Sequence, residues 1–179
     1  AKVGKKISVE RLAEIFLEQQ DRGALNINLV TPTHYIPQII KALELSKSQG
    51  MTLPVVYNSG GYEKAEALKL LDGLVDVYLP DMKYMSPGLA GKYSKAQDYP
   101  EAAMAALAEM FRQVGTPVFE VEKPDDNTAT DEAGLIMKRG MIVRHLVLPG
   151  CTADSKAVVK YLYDTYGDDI YMSIMSQYT

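Results

Sequence analysis

Charged side chains interrupt apolar stretches of this sequence at places where strands are expected to end. Asp81 and Lys83 stand two residues apart in "VDVYLPDMKY", and residues two apart on a strand face the same side. A lysine at such a position could form a Schiff base with a carbonyl substrate while the neighbouring carboxylate assists proton transfer. A salt bridge at the rim of the fold is the simpler interpretation of the same pair. Both interpretations predict that the two side chains lie together.

Another charged residue, Arg144, lies inside the apolar run "MIVRHLVLPG". An unpaired charge in such a strand is strongly destabilising, so we expect Arg144 to contact a carboxylate or a ligand. His145 would face the opposite side of a regular strand, which favours a structural role. His34 follows another predicted strand, where a turn or capping role is as well supported as a functional one. Cys151 is the single cysteine, and we interpret it as a free thiol without a catalytic role.

A pair of glycines joins an apolar run to a helical pattern in "NSGGY", residues 58–62. Gly60 and Gly61 would allow the chain to turn with positive φ. Backbone amides exposed at the start of a helix can also receive an anion or a ligand carboxylate. The pair does not match the G-x-G-x-x-G pattern, so a dinucleotide site is not indicated. Both the turn and the binding interpretation remain open at this stage.

The elements that must position these residues alternate along the chain. Short apolar runs predict five strands, at residues 25–30, 53–58, 75–81, 141–150 and 170–175. Helical periodicity predicts helices between them, including 101–114 and 155–166, the latter capped by Asp154. This alternation predicts an α/β fold with a parallel sheet, either an open doubly wound sheet or a part or whole of a (β/α) barrel. In both architectures the carboxyl ends of the strands hold the chemistry.

One stretch does not fit the alternation. The segment 116–140 is polar and irregular, with room for a small hairpin but no strong helical pattern. We treat it as an excursion from the regular order. No low-complexity tract or block of charge divides the rest, so we expect a single domain over residues 1–179.

The composition is that of an ordinary globular protein, with 47% hydrophobic residues, 23% charged residues and a formal net charge of -4. Such a chain lacks the broad basic surface that nucleic acid or an anionic membrane would need, so we expect neither as a partner. A single cysteine excludes an internal disulfide framework. The sequence contains no signal peptide pattern and no long apolar run. These features predict a cytoplasmic protein and leave its oligomeric state open.

Five segments, taken in order, resemble the radical S-adenosylmethionine proteins related to pyruvate formate-lyase activating enzyme: "NINLVTPTHY", "VVYNSGGYE", "VDVYLPDMKY", "RQVG" and "RGMIVRHLVLPG". The resemblance covers nearly the whole chain, and "YLPDMKY" and "RHLVLPG" are its most specific parts. It implies a partial (β/α) barrel, with about five βα units of a six-unit barrel in this chain. It also implies reductive cleavage of S-adenosylmethionine to a 5′-deoxyadenosyl radical. In the activating enzymes that radical abstracts hydrogen from a glycine of a partner enzyme.

The resemblance further implies which residues contact S-adenosylmethionine. Arg144 matches a strand arginine that reaches the methionine carboxylate, and its positive charge suits that role. Asp81 and Lys83 match an Asp-x-Lys pair near the cofactor. Asn58 and Ser59 match a strand end that approaches the methionine or ribose part.

Two parts of the family pattern are missing from this chain. Thr31 and Thr33 stand where the wider family has a Gly-Gly-Glu that meets the amino group of S-adenosylmethionine, and the carboxylate is absent here. The family also holds a 4Fe–4S cluster through C-x-x-x-C-x-x-C, whose three thiolates leave one iron for S-adenosylmethionine. The chain has one cysteine. We therefore expect the first strand and the cluster loop to lie upstream of residue 1, and this fragment alone to be inactive. The partners implied are a glycyl radical enzyme and an electron donor such as flavodoxin or ferredoxin.

Two other functions follow from the residues without the resemblance. The first is an aldolase-type barrel enzyme in which Lys83 forms a Schiff base, and it predicts a borohydride-trapped adduct at Lys83. The second is a non-catalytic barrel that binds a nucleoside or a partner protein. It predicts a full-length protein that lacks the cysteine motif and binds no iron.

Overall fold

The computed structural model describes residues 4–121 and 134–176 of the chain. Within these residues the α-helices are α1 Val9–Asp21, α2 Ile36–Ser48, α3 Ala65–Lys69, α4 Pro87–Ser94, α5 Tyr99–Val114 and α6 Thr152–Tyr166. The strands of the same two stretches are β1 Ile27–Val30, β2 Val55–Ser59, β3 Val77–Pro80, β4 Val118–Val121, β5 Leu135–Leu146 and β6 Tyr171–Met175. Short 3-10 turns occupy Thr33–Tyr35 and Gly167–Asp169.

Five of these strands pair in parallel and in sequence order, β1-β2-β3-β5-β6. Val30 lies opposite Asn58, and Asn58 lies opposite Leu79. Asp81, the residue that follows β3, forms an isolated parallel β-bridge with Arg144 of β5. The prediction of five parallel strands within an α/β fold is therefore confirmed, and the carboxyl ends of β2, β3 and β5 lie side by side.

The predicted excursion at 116–140 contains regular structure at both of its ends. β4 runs antiparallel to the first half of β5, with Val121 opposite Leu135. The strand expected to start at residue 141 therefore starts at Leu135. Gly140 has φ 141° and lies where the pairing of β5 changes from antiparallel, with β4, to parallel, with β3. A Cβ at this position would approach Pro117 to 3.0 Å. Residues 122–133 lie outside the described residues.

The hydrophobic core lies between the helices and one face of the sheet. Val55, Tyr57 and Ser59 of β2 are buried, whereas the intervening Val56 and Asn58 are half-buried. This alternation is the period-two pattern of a sheet with one covered face. The other face is more open, and Val30 at its β1 edge is 65% exposed. Polar residues such as Asn58 can therefore meet a ligand on that open face.

Two details of the helices differ from the sequence predictions. α4 is not predicted, because its segment contains proline and glycine and has no clear apolar period. Ser86 caps this helix by accepting a hydrogen bond from the Leu89 N–H at 3.3 Å. The prediction that Asp154 caps α6 is wrong, because α6 begins at Thr152. Asp154 lies in the first helical turn, and its carboxylate accepts hydrogen bonds from two backbone N–H groups of the loop after β3, at 3.2 and 2.7 Å.

Membrane insertion is not expected from the sequence. None of the helices in residues 4–121 and 134–176 has both the length and the apolar composition needed to span a bilayer.

Candidate functional site

Three polar residues at the carboxyl ends of β2, β3 and β5 meet on the open face of the sheet. The Arg144 Nη2 atom lies 2.7 Å from Asp81 Oδ1 and donates a hydrogen bond to Asn58 Oδ1 at 2.8 Å. β2, β3 and β5 are neighbours whose carboxyl ends lie at the same level, which places these side chains in contact. Arg144 is predicted to need a carboxylate or a ligand, and Asp81 is that carboxylate.

Asp81 contacts a second cation with its other oxygen. Lys83 Nζ lies 3.6 Å from Asp81 Oδ2, and the Lys83 side chain is 43% exposed. The two residues point the same way, as their spacing predicts. Asp81 thus orients two cationic groups, one partly buried and one near solvent, at one end of the sheet.

A cavity of about 410 Å³ opens beside this cluster. Its walls are formed by Asp81, Lys83, Tyr84, Ser94, Arg144, Leu146, Leu148 and Met175. The lining combines two cations and one carboxylate with the apolar side chains of Leu146, Leu148 and Met175. The Arg144 Nε–H is buried and has no hydrogen-bond partner among the described residues, so this guanidinium has unused donor capacity. The cavity therefore suits a small molecule that has both an anionic group and apolar parts.

The remaining predicted site residues form a separate cluster nearer β1. Thr33 Oγ1 donates a hydrogen bond to Glu63 Oε1 at 2.6 Å, and Ser59 Oγ accepts one from the Gly61 N–H at 3.3 Å. Thr31 is exposed, with φ 51°, and its N–H bonds to the carbonyl of Asn58 at 2.8 Å. Thr31 and Ser59 meet the Arg144 cluster only through backbone hydrogen bonds, the second from the Asp81 N–H to the carbonyl of Ser59 at 3.0 Å, and the side chains of Thr33 and Ser59 bond to the loop after β2 instead.

Glu63 is not among the site residues that the sequence predicts. Glu63 is 6% exposed, and burial raises the pKa of its carboxyl, while the hydrogen bond from Thr33 acts in the opposite direction. The available signal in the sequence is an acidic residue shortly after two glycines in a loop that follows a strand. Its partner Thr33 follows a different strand, so the contact itself is not visible from spacing.

The glycines and a tyrosine hold the loops after β2 and β3 against each other. Gly61 has φ 77°, and a Cβ there would collide with the carbonyl oxygen of Asp81. The hydroxyl of Tyr99 lies 3.0 Å from Gly60 O and 2.9 Å from Asp81 O, and it accepts a hydrogen bond from the Lys83 N–H at 3.0 Å. Gly61 is thus required both for the turn and for a close approach of two loops.

The hydrogen bonds and ion pairs of the charged cluster do not involve the histidines or the cysteine. His145 is 3% exposed and its Nδ1 lies 2.7 Å from the carbonyl oxygen of Met82, which agrees with a structural role. His34 lies in the 3-10 turn after β1. Cys151 is half-buried at the start of α6 and forms no disulfide. In the part of the chain that the structure describes, no group of three His, Cys, Asp or Glu side chains could hold a metal ion.

Comparison with known proteins gives a relative of this chain in an archaeon. No protein-family model matches it. The uncharacterized protein MJ0674 of Methanocaldococcus jannaschii is 30% identical over 143 residues, which are 78% of this chain and 33% of that protein. The chain therefore spans about a third of the length of this curated relative.

Proposed function

We propose that this chain is part of a radical S-adenosylmethionine protein related to pyruvate formate-lyase activating enzyme, and that it holds most of the barrel of that protein. The observation that carries the proposal is the convergence of Asn58, Asp81 and Arg144 from three adjacent strand ends beside a cavity. These residues match the cofactor-contacting positions of the family that the sequence resembles. Their contact also requires β2, β3 and β5 to be parallel neighbours, which is the order expected in that family.

The fold that we propose for the intact domain is a partial (β/α) barrel, of which this chain supplies about five units of six. Two observations support it. The parallel strands follow one another in sequence order, without the reversal that a doubly wound sheet requires. The helices cover one face of the sheet, and the charged cluster lies on the other face, as expected for the inside of a barrel.

The residues present fit S-adenosylmethionine as a ligand. Arg144 would bind the methionine carboxylate, for which its unpartnered Nε–H offers a donor. Asp81 would hold Arg144 in place and, with Asn58 and Lys83, would bind the polar groups of the methionine or ribose part. Leu146 and other apolar residues of the cavity would contact the less polar parts of the molecule. When bound and reduced, this cofactor supplies a carbon radical that abstracts hydrogen.

The residues of this chain do not fit the 4Fe–4S cluster. Such a cluster needs three thiolates, and this chain has one cysteine. Within our proposal the cluster ligands are contributed by a segment outside this chain. The target of the hydrogen abstraction is proposed to be a glycine of a partner enzyme, with flavodoxin or ferredoxin as the source of electrons.

The test uses the full-length gene product, loaded with iron and sulfide without oxygen and then reduced with dithionite in the presence of S-adenosylmethionine. We expect 5′-deoxyadenosine to form, and Arg144→Gln to reduce the affinity for S-adenosylmethionine by about tenfold or more, because a charged hydrogen-bond donor is lost. Arg139→Gln is the matched control. It removes an arginine from the same strand, but that arginine donates to the carbonyl of Gln113 instead of facing the cavity. Absence of both binding and 5′-deoxyadenosine would refute the proposal.

The same protein preparations distinguish this proposal from two alternative functions. A Schiff base would require Lys83 as an uncharged amine, which enzymes usually obtain by desolvation, and the 43% exposure of this side chain does not favour it. A borohydride-stable adduct at Lys83 with a carbonyl substrate would nevertheless establish that function. Binding of S-adenosylmethionine or a nucleoside without iron and without cleavage would favour the non-catalytic barrel.

A further inference from the structure

We infer that Tyr99 is a positioning residue that sets the placement of Asp81 and Lys83 through the backbone of their loop. The effect on ligand binding rests on the function proposed above, whereas the effect on the loop does not. Tyr99 does not line the cavity. It would act on the site only through the residues that it holds.

The hydroxyl of Tyr99 connects two loops that lie far apart in sequence. It shares its proton between the carbonyl oxygens of Gly60 and Asp81, and one of its lone pairs accepts the Lys83 N–H. One oxygen atom thus satisfies three backbone groups, of which two belong to the segment that carries Asp81 and Lys83. Burial raises the pKa of the Tyr99 hydroxyl, so it remains a hydrogen-bond donor throughout the pH range in which the protein would work.

The ring that carries this hydroxyl is itself held firmly. Tyr99 is 2% exposed and is the first residue of α5, which is sixteen residues long. Its ring stacks on Tyr62 at a centroid distance of 5.9 Å and meets the edge of Tyr84 at 5.6 Å. A side chain fixed by a long helix and two aromatic neighbours has little freedom to follow the loops. The loops are therefore fixed relative to the helix.

The consequence for the site follows from the backbone of Asp81. Its carbonyl oxygen is bonded to Tyr99, and its carboxylate contacts Arg144 and Lys83. A shift of this residue would therefore move both cations away from their present places beside the cavity. Gly61 leaves room for this contact, since a Cβ there would collide with the Asp81 carbonyl oxygen and approach the Tyr99 hydroxyl to 3.2 Å.

The test compares Tyr99→Phe with Tyr62→Phe. Both variants remove one hydroxyl from the same stacked pair, but the Tyr62 hydroxyl donates to Asp98 at 2.9 Å and bonds no residue of the cavity. Amide hydrogen exchange of Lys83 reports on the loop without any ligand. We expect exchange at Lys83 to rise by about tenfold in Tyr99→Phe, because its N–H loses its acceptor, and to stay at the wild-type rate in Tyr62→Phe. Amides of β2 and α5 should exchange as in the wild type.

Calorimetric titration of the full-length proteins with S-adenosylmethionine gives the second readout. We expect about tenfold weaker binding in Tyr99→Phe and unchanged binding in Tyr62→Phe. Unchanged exchange at Lys83 in Tyr99→Phe, or an equal rise in Tyr62→Phe, would overturn the inference whether or not the ligand binds. Equal affinities of wild type and Tyr99→Phe would overturn it as well. A wild type that does not bind, combined with the expected exchange, would count against the proposed function alone.

A measurement on the wild type applies if Tyr99→Phe does not fold. Because the Lys83 N–H is bonded to a hydroxyl at the start of α5, we expect its amide exchange to be about as slow as that of the α5 amides. Exchange at Lys83 as fast as in an unbonded loop would equally refute the positioning role.

Discussion

The ion pair between Arg144 and Asp81 should contribute measurably to stability, unlike most salt bridges at protein surfaces. The atoms are 2.7 Å apart, and the side chains are 26% and 23% exposed. At an effective dielectric constant of about 20 the direct attraction at this distance is about 6 kcal/mol. Desolvation of both groups offsets most of it. A charge-assisted hydrogen bond in this setting should therefore leave a coupling energy of about 1–2 kcal/mol.

The assay is a double-mutant cycle of Asp81→Asn and Arg144→Met, followed by urea unfolding. Asparagine keeps the volume of aspartate, and methionine keeps the aliphatic stem of arginine. The cycle isolates the pair from the other contacts of each residue, including the 3.6 Å contact between Asp81 and Lys83.

The structure offers a matched control pair in Lys160 and Asp164 on α6. Their atoms are 2.6 Å apart, but the side chains are 75% and 55% exposed. The cycle of Lys160→Met and Asp164→Asn should give a coupling energy of at most about 0.5 kcal/mol. Distance is nearly the same in the two pairs, so the comparison tests burial. Equal coupling energies in the two cycles, or a value near zero for Arg144 and Asp81, would refute the reasoning.

Three further predictions concern polar groups that are buried or half-buried. Burial raises the pKa of Glu63, so the contribution of this carboxyl to stability is largest below the ordinary value of 4.5 and declines as the pH rises through the folded-state pKa. The stability of Glu63→Gln relative to wild type should therefore rise between about pH 4 and pH 8 in thermal unfolding. A difference that does not change with pH would contradict this. Tyr78→Phe removes the hydroxyl that donates to Gln113 at 2.6 Å and should cost about 1–3 kcal/mol in urea unfolding, whereas a cost below about 0.5 kcal/mol would show that the amide finds another partner. Asp154→Ala leaves two backbone N–H groups of the loop after β3 without their acceptor and should cost about 1–2 kcal/mol in urea unfolding, part of which Asp154→Asn should recover.

The five parallel strands can be predicted from local patterns because each apolar run is short and most are followed by a helical period, whereas the order of the strands in the sheet cannot. The limits of this reasoning are visible in β5. Its second half has the apolar pattern of a buried strand, but residues 135–139, which pair with β4, are half-buried or exposed. An exposed strand has no buried face to impose a pattern, so its sequence reads as irregular. α4 escapes prediction for a related reason, since Pro87 and two glycines weaken the helical pattern that Ser86 then stabilises by capping.

The charged part of the site is predictable because strand ends in a parallel sheet meet at one edge. Arg144 is anomalous in an apolar strand, and the cost of an unpaired charge there is enough to imply a partner. Thr33 and Tyr99 show where such reasoning stops. The bond of Thr33 to Glu63 joins residues thirty positions apart, and Tyr99 stands at a helix start with an ordinary aromatic residue type. Nothing local in the sequence marks either contact, because each depends on how two loops pack.

The charges of the cavity differ in sign from those of the whole molecule. The formal net charge of the chain is -4, yet the ionisable side chains around the cavity include two cations and one carboxylate, apart from tyrosine. Asp81 touches both cations, but Arg144 retains a buried N–H without a partner among the described residues and Lys83 is partly open to solvent. An anionic ligand group can therefore be bound without breaking the contacts that Asp81 makes. The carboxylate acts as a support that keeps two cations at the cavity, and the excess positive charge is what would select an anion there.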